Sequence, residues 1–251
     1  MSKIAFVTGG SRGLGKDMAL RIAEKGLDVV LTYKSNKEEA AKIVEAIEAK
    51  GQKAFALQLD TSEIGSFDTV VREIKTTLKE KLGKETIDFL VNNAGIGLGN
   101  SIAETTEEQF DILSNIHLKG VFFLTQKLIP ILNTGGGIIN VSSGLARFSM
   151  PGYAAYAMMK GGIEVFSRYL AKELGSKGIR ANTIAPGAIE TDFGGGAVRD
   201  NEQYNTAVAS VTALGRAGLP EDIGGVVAFL CTEEARWINA QRIEVSGGMN
   251  I

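Results

Sequence analysis

Tyr156 and Lys160 stand four residues apart in Tyr156-Ala-Met-Met-Lys160, and Ser143 precedes the tyrosine by 13 residues. On a helix, positions i and i+4 share a face, so the lysine would lie beside the tyrosine. A phenol has a reference pKa of about 10 and works as acid and base near neutrality only if that value falls by about 3 units, roughly 4 kcal/mol. A cation held close favours the phenolate and drives such a fall. A serine hydroxyl nearby can donate to a substrate oxygen as charge develops on it. Together these residue types suit proton transfer at a carbon–oxygen bond.

A second chemical element is Thr8-Gly9-Gly10-Ser11-Arg12-Gly13-Leu14-Gly15, which follows an apolar run and opens a helical pattern. Glycines let the backbone approach a pyrophosphate, and a helix N-terminus offers free N–H groups and a favourable dipole. The spacing is Gly-x-x-x-Gly-x-Gly rather than the commoner Gly-x-Gly-x-x-Gly. The same residues, Gly10-Ser-Arg-Gly-Leu-Gly15-Lys16, begin like a P-loop. Asp17 then stands where a Ser or Thr would hold magnesium, and a carboxylate there repels phosphate, so the NTPase reading is rejected. A dinucleotide beside a proton-moving tyrosine describes hydride transfer. NAD binders usually carry an acid at the end of the second strand. Here Tyr33-Lys34-Ser35-Asn36 holds no acid, and Arg12 adds a second cation, an arrangement suited to a 2′-phosphate. NADP(H) is therefore favoured, with NAD(H) possible.

The rest of the chain must position these groups. Strands are read at Ile4–Thr8, Val29–Tyr33, Lys53–Leu59, Ile87–Val91, Gly137–Val141, Arg180–Ile184 and Arg242–Val245. They are apolar and barely alternate, as parallel strands buried on both faces do. Amphipathic stretches lie between them, such as Lys37–Lys50 with Ala40, Ile43, Val44 and Ile47 on one face. Alternating strands and helices predict a doubly wound, Rossmann-type three-layer α/β fold on a mainly parallel seven-stranded sheet. Residues 1–251 read as a single dinucleotide-binding and catalytic domain. Thr191-Asp-Phe-Gly-Gly-Gly196 and the polar run after it read as a mobile substrate lid over about 191–213.

Composition narrows the class. The 27 basic and 29 acidic residues are interspersed, which argues against a nucleic-acid surface or a polybasic membrane patch. One histidine and one cysteine build no His/Cys metal site, so no metal is expected. Cys231, inside an apolar run, reads as a buried reduced thiol of a cytoplasmic protein without disulfides. No apolar run approaches a membrane span, and no signal peptide is read.

These motifs resemble the short-chain dehydrogenase/reductase superfamily, in its short single-domain branch, over essentially the whole chain. The resemblance extends to Asn92-Asn93-Ala94-Gly95, Asp60-Thr61, Pro186-Gly187 with Ile189 and Thr191, and the closing Gly247-Gly248. It implies that Tyr156 protonates the carbonyl oxygen and that Lys160 tunes Tyr156 and binds the nicotinamide ribose. Ser143 would orient the substrate. It implies cofactor contacts at Gly9, Ser11, Arg12, Gly13, Leu14, Gly15, Lys34, Asp60, Thr61, Asn93, Ala94, Gly95, Tyr156, Lys160, Pro186, Gly187, Ile189 and Thr191. It also implies a homotetramer, for which the small residues Ala154, Ala155, Ala157, Gly161 and Gly162 and the C-terminal Trp237 and Ile251 are candidate contacts. One departure is His117, where many members carry an active-site asparagine whose backbone carbonyl holds a water. The ring either joins the proton path, since histidine titrates near neutrality, or fills space as a neutral group.

The pattern is similar to 3-oxoacyl-carrier-protein reductases and carbonyl reductases. An acidic carrier protein calls for a basic dock, whereas Arg147, Arg199 and Arg216 are dispersed among acids. Leu145, Phe148, Met150 and Tyr153, with Phe193, predict an apolar pocket for a small hydrophobic or aryl ketone or ketoester. Two other readings are weighed. A nucleotide-sugar epimerase would need a longer chain, and a catalytically silent NADP(H) sensor would tend to lose the tyrosine or lysine.

Overall fold

The computed structural model describes residues 2–251. Seven strands form one sheet: β1 (Ile4–Val7), β2 (Asp28–Tyr33), β3 (Ala54–Gln58), β4 (Ile87–Asn92), β5 (Leu132–Val141), β6 (Arg180–Pro186) and β7 (Arg242–Val245). Their order is β3-β2-β1-β4-β5-β6-β7, and every pairing is parallel. Winding reverses between β1 and β4, so the crevice where ligands gather in such sheets opens at their carboxyl ends.

Among the described residues nine α-helices connect the strands: α1 (Gly13–Glu24), α2 (Lys37–Glu48), α3 (Phe67–Leu82), α4 (Glu107–Ser114), α5 (Gly120–Leu128), α6 (Ala154–Leu174), α7 (Ala197–Asp200), α8 (Glu202–Ser210) and α9 (Pro220–Leu230). A π-helical turn, Asn115–Lys119, joins α4 to α5. One sheet face is covered by α1, α2 and α9 through Met18, Ile22, Ile43, Ile47 and Val227. The other is covered by α3, α5 and α6 through Phe67, Ile74, Leu78, Leu124 and Leu170. Burial on both faces is why the strand sequences are continuously apolar. Local signals fix the helix starts. Asn36 Oδ1 accepts the Glu39 N–H at 3.0 Å to begin α2. Thr106 and Gln109 form a reciprocal capping box on α4.

A polar row crosses the apolar sheet. Asn92, Asn140 and Thr183 are register partners on β4, β5 and β6. Asn92 Nδ2 donates to Asn140 Oδ1 at 2.8 Å and to Thr125 Oγ1 at 3.0 Å. Asn140 Nδ2 and the Thr183 hydroxyl both donate to Ser167 Oγ on α6, at 2.8 and 2.7 Å. Buried polar groups are tolerated because they satisfy one another.

Several strand ends differ from the sequence reading by one or two residues, and one differs by more. β5 begins at Leu132 rather than Gly137, with a register shift opposite Ile87 and Phe89. The segment read as a mobile lid carries short helices. Gly194, Gly195 and Gly196 take φ of 61°, 74° and 80°, a left-handed path that side chains disfavour. This turn feeds α7, and Asn201 caps α8 by accepting the Tyr204 N–H at 3.0 Å. No helix among the described residues is long and apolar enough to cross a membrane.

Candidate active site

The carboxyl ends of the strands open onto a cleft of about 930 Å³, a size that suits a dinucleotide with a small substrate. Every residue read from the sequence as catalytic, cofactor-binding or substrate-lining borders this cleft, except His117.

The glycine turn forms the floor of the cleft. Thr8 Oγ1 accepts the N–H groups of Asn93 and Ala94 at 2.9 and 3.0 Å. Asn93 Nδ2 donates back to the carbonyls of Thr8 and Gly9 at 2.9 and 3.2 Å, which locks β1 to β4. A Cβ at Gly15 would come within 2.2 Å of the Gly9 carbonyl oxygen, so the turn closes only around glycine. The cradle therefore fits a pyrophosphate lying on the α1 N-terminus.

At the end of β2, Lys34 is not free. Its Nζ lies 2.7 Å from Asp60 Oδ2. Burial works against ionisation of Asp60, yet the bonds from Lys34 and Ser62 outweigh it and hold the carboxyl below its ordinary range. Arg12 is largely exposed and only 3.9 Å from Asp192. Ser35 and Asn36 complete this rim.

The chemical end is built from β5 and α6. Ser143 follows β5, and its Oγ accepts the Leu145 N–H at 3.2 Å, which orients the hydroxyl. Tyr156 sits in the first turn of α6 and Lys160 one turn on, both buried. Lys160 Nζ donates to the Val141 carbonyl at 2.8 Å and lies 5.5 Å from the Tyr156 ring centroid. The sequence predicts a lowered tyrosine pKa; in the structure, burial pushes Tyr156 up, and the nearby Ser143 hydroxyl offsets this only in part. Burial also lowers Lys160, to about 7, so part of the expected cationic influence is lost to desolvation. The site holds Tyr156 as a protonated phenol.

His117 lies behind the tyrosine. Its ring meets Tyr156 edge-on with centroids 5.2 Å apart. Nε2 is 2.9 Å from the Ile96 carbonyl, which places the proton on that nitrogen and leaves buried Nδ1 without a partner among the described residues. Burial, then the nearby Lys160 charge, depress the ring to about 2, against a weaker opposing effect of the Ile96 bond. A ring titrating near neutrality is thus not what the structure holds; the imidazole is neutral.

The three arginines weighed as a basic dock are all engaged. Arg147 forks onto Glu244, with two bonds of 2.7 Å. Arg199 pairs with Asp192 and Asp200 at 2.5 and 2.7 Å. Arg216 forks onto Asp222 at 2.7 and 2.8 Å. The expected apolar wall is present: Leu145, Phe148, Met150, Tyr153 and Phe193 border the cleft, with Phe193 6.0 Å from Tyr156 ring to ring. Sequence reasoning missed Val198, Tyr204 and Met249, which also border it. An apolar residue directly after the closing Gly247-Gly248 was the available signal for Met249.

A parallel sheet that reverses its winding above a glycine cradle, with serine, tyrosine and lysine at one end, has the architecture of a dinucleotide-dependent oxidoreductase. A family model described as enoyl-(acyl carrier protein) reductase matches residues 9–250. The chain belongs to the short-chain dehydrogenase/reductase family. It is 37% identical to the 3-oxoacyl-[acyl-carrier-protein] reductase FabG of Staphylococcus aureus over 99% of this chain and 98% of the relative. LugOII, a promiscuous reductase that catalyses keto-reduction at C1 during lugdunomycin biosynthesis, is 37% identical, with a TM-score of 0.94 covering 99% of this chain and 98% of that one. The angucycline C-6 ketoreductase LanV, solved with bound NADP, is 35% identical, with a TM-score of 0.94 covering 99% and 95%.

Proposed function

We propose that the protein is an NADP(H)-dependent ketoreductase acting on a hydrophobic ketone or ketoester, with Tyr156 as the proton donor. The observation that carries this reading is the convergence of Ser143, Tyr156 and Lys160 at the apolar end of a dinucleotide-sized cleft. When bound, the reduced nicotinamide supplies the hydride. Ser143 donates to the substrate carbonyl oxygen and holds it against Tyr156. Tyr156, kept protonated by burial, passes its proton to that oxygen as the hydride reaches carbon. Lys160, fixed by the Val141 carbonyl and poised near neutrality, returns a proton toward the phenolate. Ketone, hydride and proton balance as a secondary alcohol.

NADP(H) is preferred over NAD(H) because β2 ends in Tyr33-Lys34-Ser35-Asn36, without the acid that would hold free ribose hydroxyls and with cations at Lys34 and Arg12. The LanV neighbour, solved with NADP, supports this.

The FabG relative favours a second reading, reduction of a 3-oxoacyl group on a carrier protein. The intramolecular pairing of Arg147, Arg199 and Arg216 weighs against it, since no cation of that set is left to meet an acidic partner. We also infer a homotetramer in the cytoplasm. Exposed Phe122, Met158 and Tyr169 on α5 and α6, and exposed Trp237 and Ile251 flanking β7, offer apolar surface for further copies, a state that sedimentation measures.

The test is NADPH oxidation with a panel of aryl ketones, ketoesters and an acetoacetyl thioester. One or more ketones should be reduced, and Tyr156→Phe should lose at least about 100-fold in kcat while still binding NADPH. Reduction confined to the thioester would favour the carrier-protein reading. NADPH binding with no turnover across the panel would favour a silent sensor.

A further inference from the structure

Arg147 does more than pair with Glu244. Its Nη2 also donates to the Met249 carbonyl at 2.8 Å, and Nη1 to the Asn250 carbonyl at 3.2 Å. Arg147 belongs to the loop that carries Ser143, whereas Met249 and Asn250 lie about a hundred residues later in the chain. Arg242 extends the arrangement. It donates to Glu164 at 2.7 Å, to Glu244 at 2.9 Å and to the Ser143 carbonyl at 3.3 Å. Ser142 Oγ completes it by donating to Glu164 at 2.7 Å. Two arginines and two glutamates thus bracket the catalytic loop against β7 and the turn that follows.

That turn is held from its other side by the end of the lid helices. The Asn250 N–H donates to the Val211 carbonyl at 2.9 Å, and Thr212 and Met249 form an antiparallel bridge. The Leu214 N–H donates to the Gly247 carbonyl at 3.0 Å. Asn250 adopts φ of 52°, a left-handed geometry that asparagine accepts more readily than most residues. Met249 is consequently fixed at its backbone, and the residue borders the cleft. In strand order, β7 stands two places from β5 and four from β1, so at about 4.8 Å per strand it is about 10 Å from the Ser143 strand and about 19 Å from the glycine turn. Met249 therefore borders the cleft nearer to Ser143 than to the glycine turn.

We propose that Met249 determines the size of ketone the cleft accepts, and that Arg147 is the positioning residue that sets Met249 there. Arg147 ties the C-terminal turn to the loop of Ser143, so the wall and the catalytic hydroxyl move as one unit. A thioether on an unbranched side chain suits a wall that meets substrates of several shapes.

This inference rests on the ketone-reduction reading. The experiment compares kcat/KM for a compact ketoester, ethyl acetoacetate, with that for a bicyclic aryl ketone, 1-tetralone. Met249→Ala should raise the bulky-to-compact ratio about tenfold, and Met249→Phe should lower it about tenfold. Arg147→Gln, which cannot fork, should shift the ratio in the direction of Met249→Ala, through KM more than kcat. Arg147→Lys should restore part of the original ratio. Adding Met249→Ala to Arg147→Gln should change little further, because the wall is already displaced. NADPH binding by each variant certifies that it is folded. A ratio indifferent to both Met249 substitutions in a wild type that reduces both ketones overturns this inference alone. So does an Arg147→Gln variant that loses kcat equally on the two. A wild type that reduces neither ketone overturns both readings.

Discussion

The neutral state of His117 makes a quantitative demand on stability. In the unfolded chain the imidazole titrates near its ordinary value of 6.5, whereas in the folded protein burial and Lys160 depress it to about 2. Between those values the unfolded state binds a proton that the folded state refuses. Stability therefore rises with pH across the window, is fully present above about 6.5 and is lost as pH falls below it, at about 1.36 kcal/mol per unit. From about pH 7.5 to about pH 5.0 the loss attributable to this one ring is about 2 kcal/mol, a substantial part of the 5–15 kcal/mol that holds a domain folded. The perturbation is His117→Gln, which removes the titration and keeps a donor for the Ile96 carbonyl. Urea unfolding of both proteins across this range should give a wild-type-minus-variant difference that slopes by about 2 kcal/mol. The chain has a single histidine, so NMR of the untagged protein reads the same ring without assignment. Its Cε1 proton should stay fixed in shift down to about pH 5.0. A flat stability difference, or a resonance with a midpoint near 6.5, would refute the burial argument and restore the ring to the proton path.

Two further outcomes follow from the cleft. Gly15→Ala would set a methyl group 2.2 Å from the Gly9 carbonyl oxygen and 2.5 Å from Asn93 Nδ2, so NADPH binding should fall at least tenfold and stability by about 1–3 kcal/mol. Gly225→Ala on α9, where a Cβ meets nothing within 4 Å, should instead raise the melting temperature; a fall at both sites would contradict the packing. Arg12→Ala should weaken NADPH about tenfold by titration of cofactor fluorescence and leave NADH within about twofold, because only a 2′-phosphate uses the lost charge. Equal losses for both cofactors would show that the rim does not read the phosphate.

The fold was legible because parallel strands buried on both faces leave unbroken apolar runs, and the reactive groups were legible because their types and spacings are local. Two kinds of information were not. The start of β5 was hidden by Asn133-Thr-Gly-Gly-Gly137, which reads as a loop until β4 supplies its partner. The triple glycine before α7 reads as part of a mobile lid in sequence, whereas in space it makes a left-handed turn that most side chains disfavour. Environment was the second gap. Tyr156 and Lys160 were assigned a mutual charge effect, whereas desolvation dominates both. The linear chain shows Lys34 as a cation suited to a 2′-phosphate and hides its partner Asp60, which sits on another strand end. The grip of Arg147 on Met249 spans 102 positions and leaves no periodic trace.

The polar row of Asn92, Asn140 and Thr183 has a bearing on how reproducibly the catalyst assembles. An apolar strand between apolar neighbours has little to tell it where to stop sliding, since one Ile or Val packs much like the next. The asparagine and threonine side chains do discriminate: displaced by one position, β5 would turn Asn140 to the opposite face and strand its amide in hydrocarbon. The same error would carry Ser143, three residues downstream, about 3.3 Å along the sheet and away from Tyr156. A handful of buried hydrogen bonds thereby serves as the alignment gauge of the candidate active site, rejecting misassembled molecules before they are ever asked to bind a cofactor.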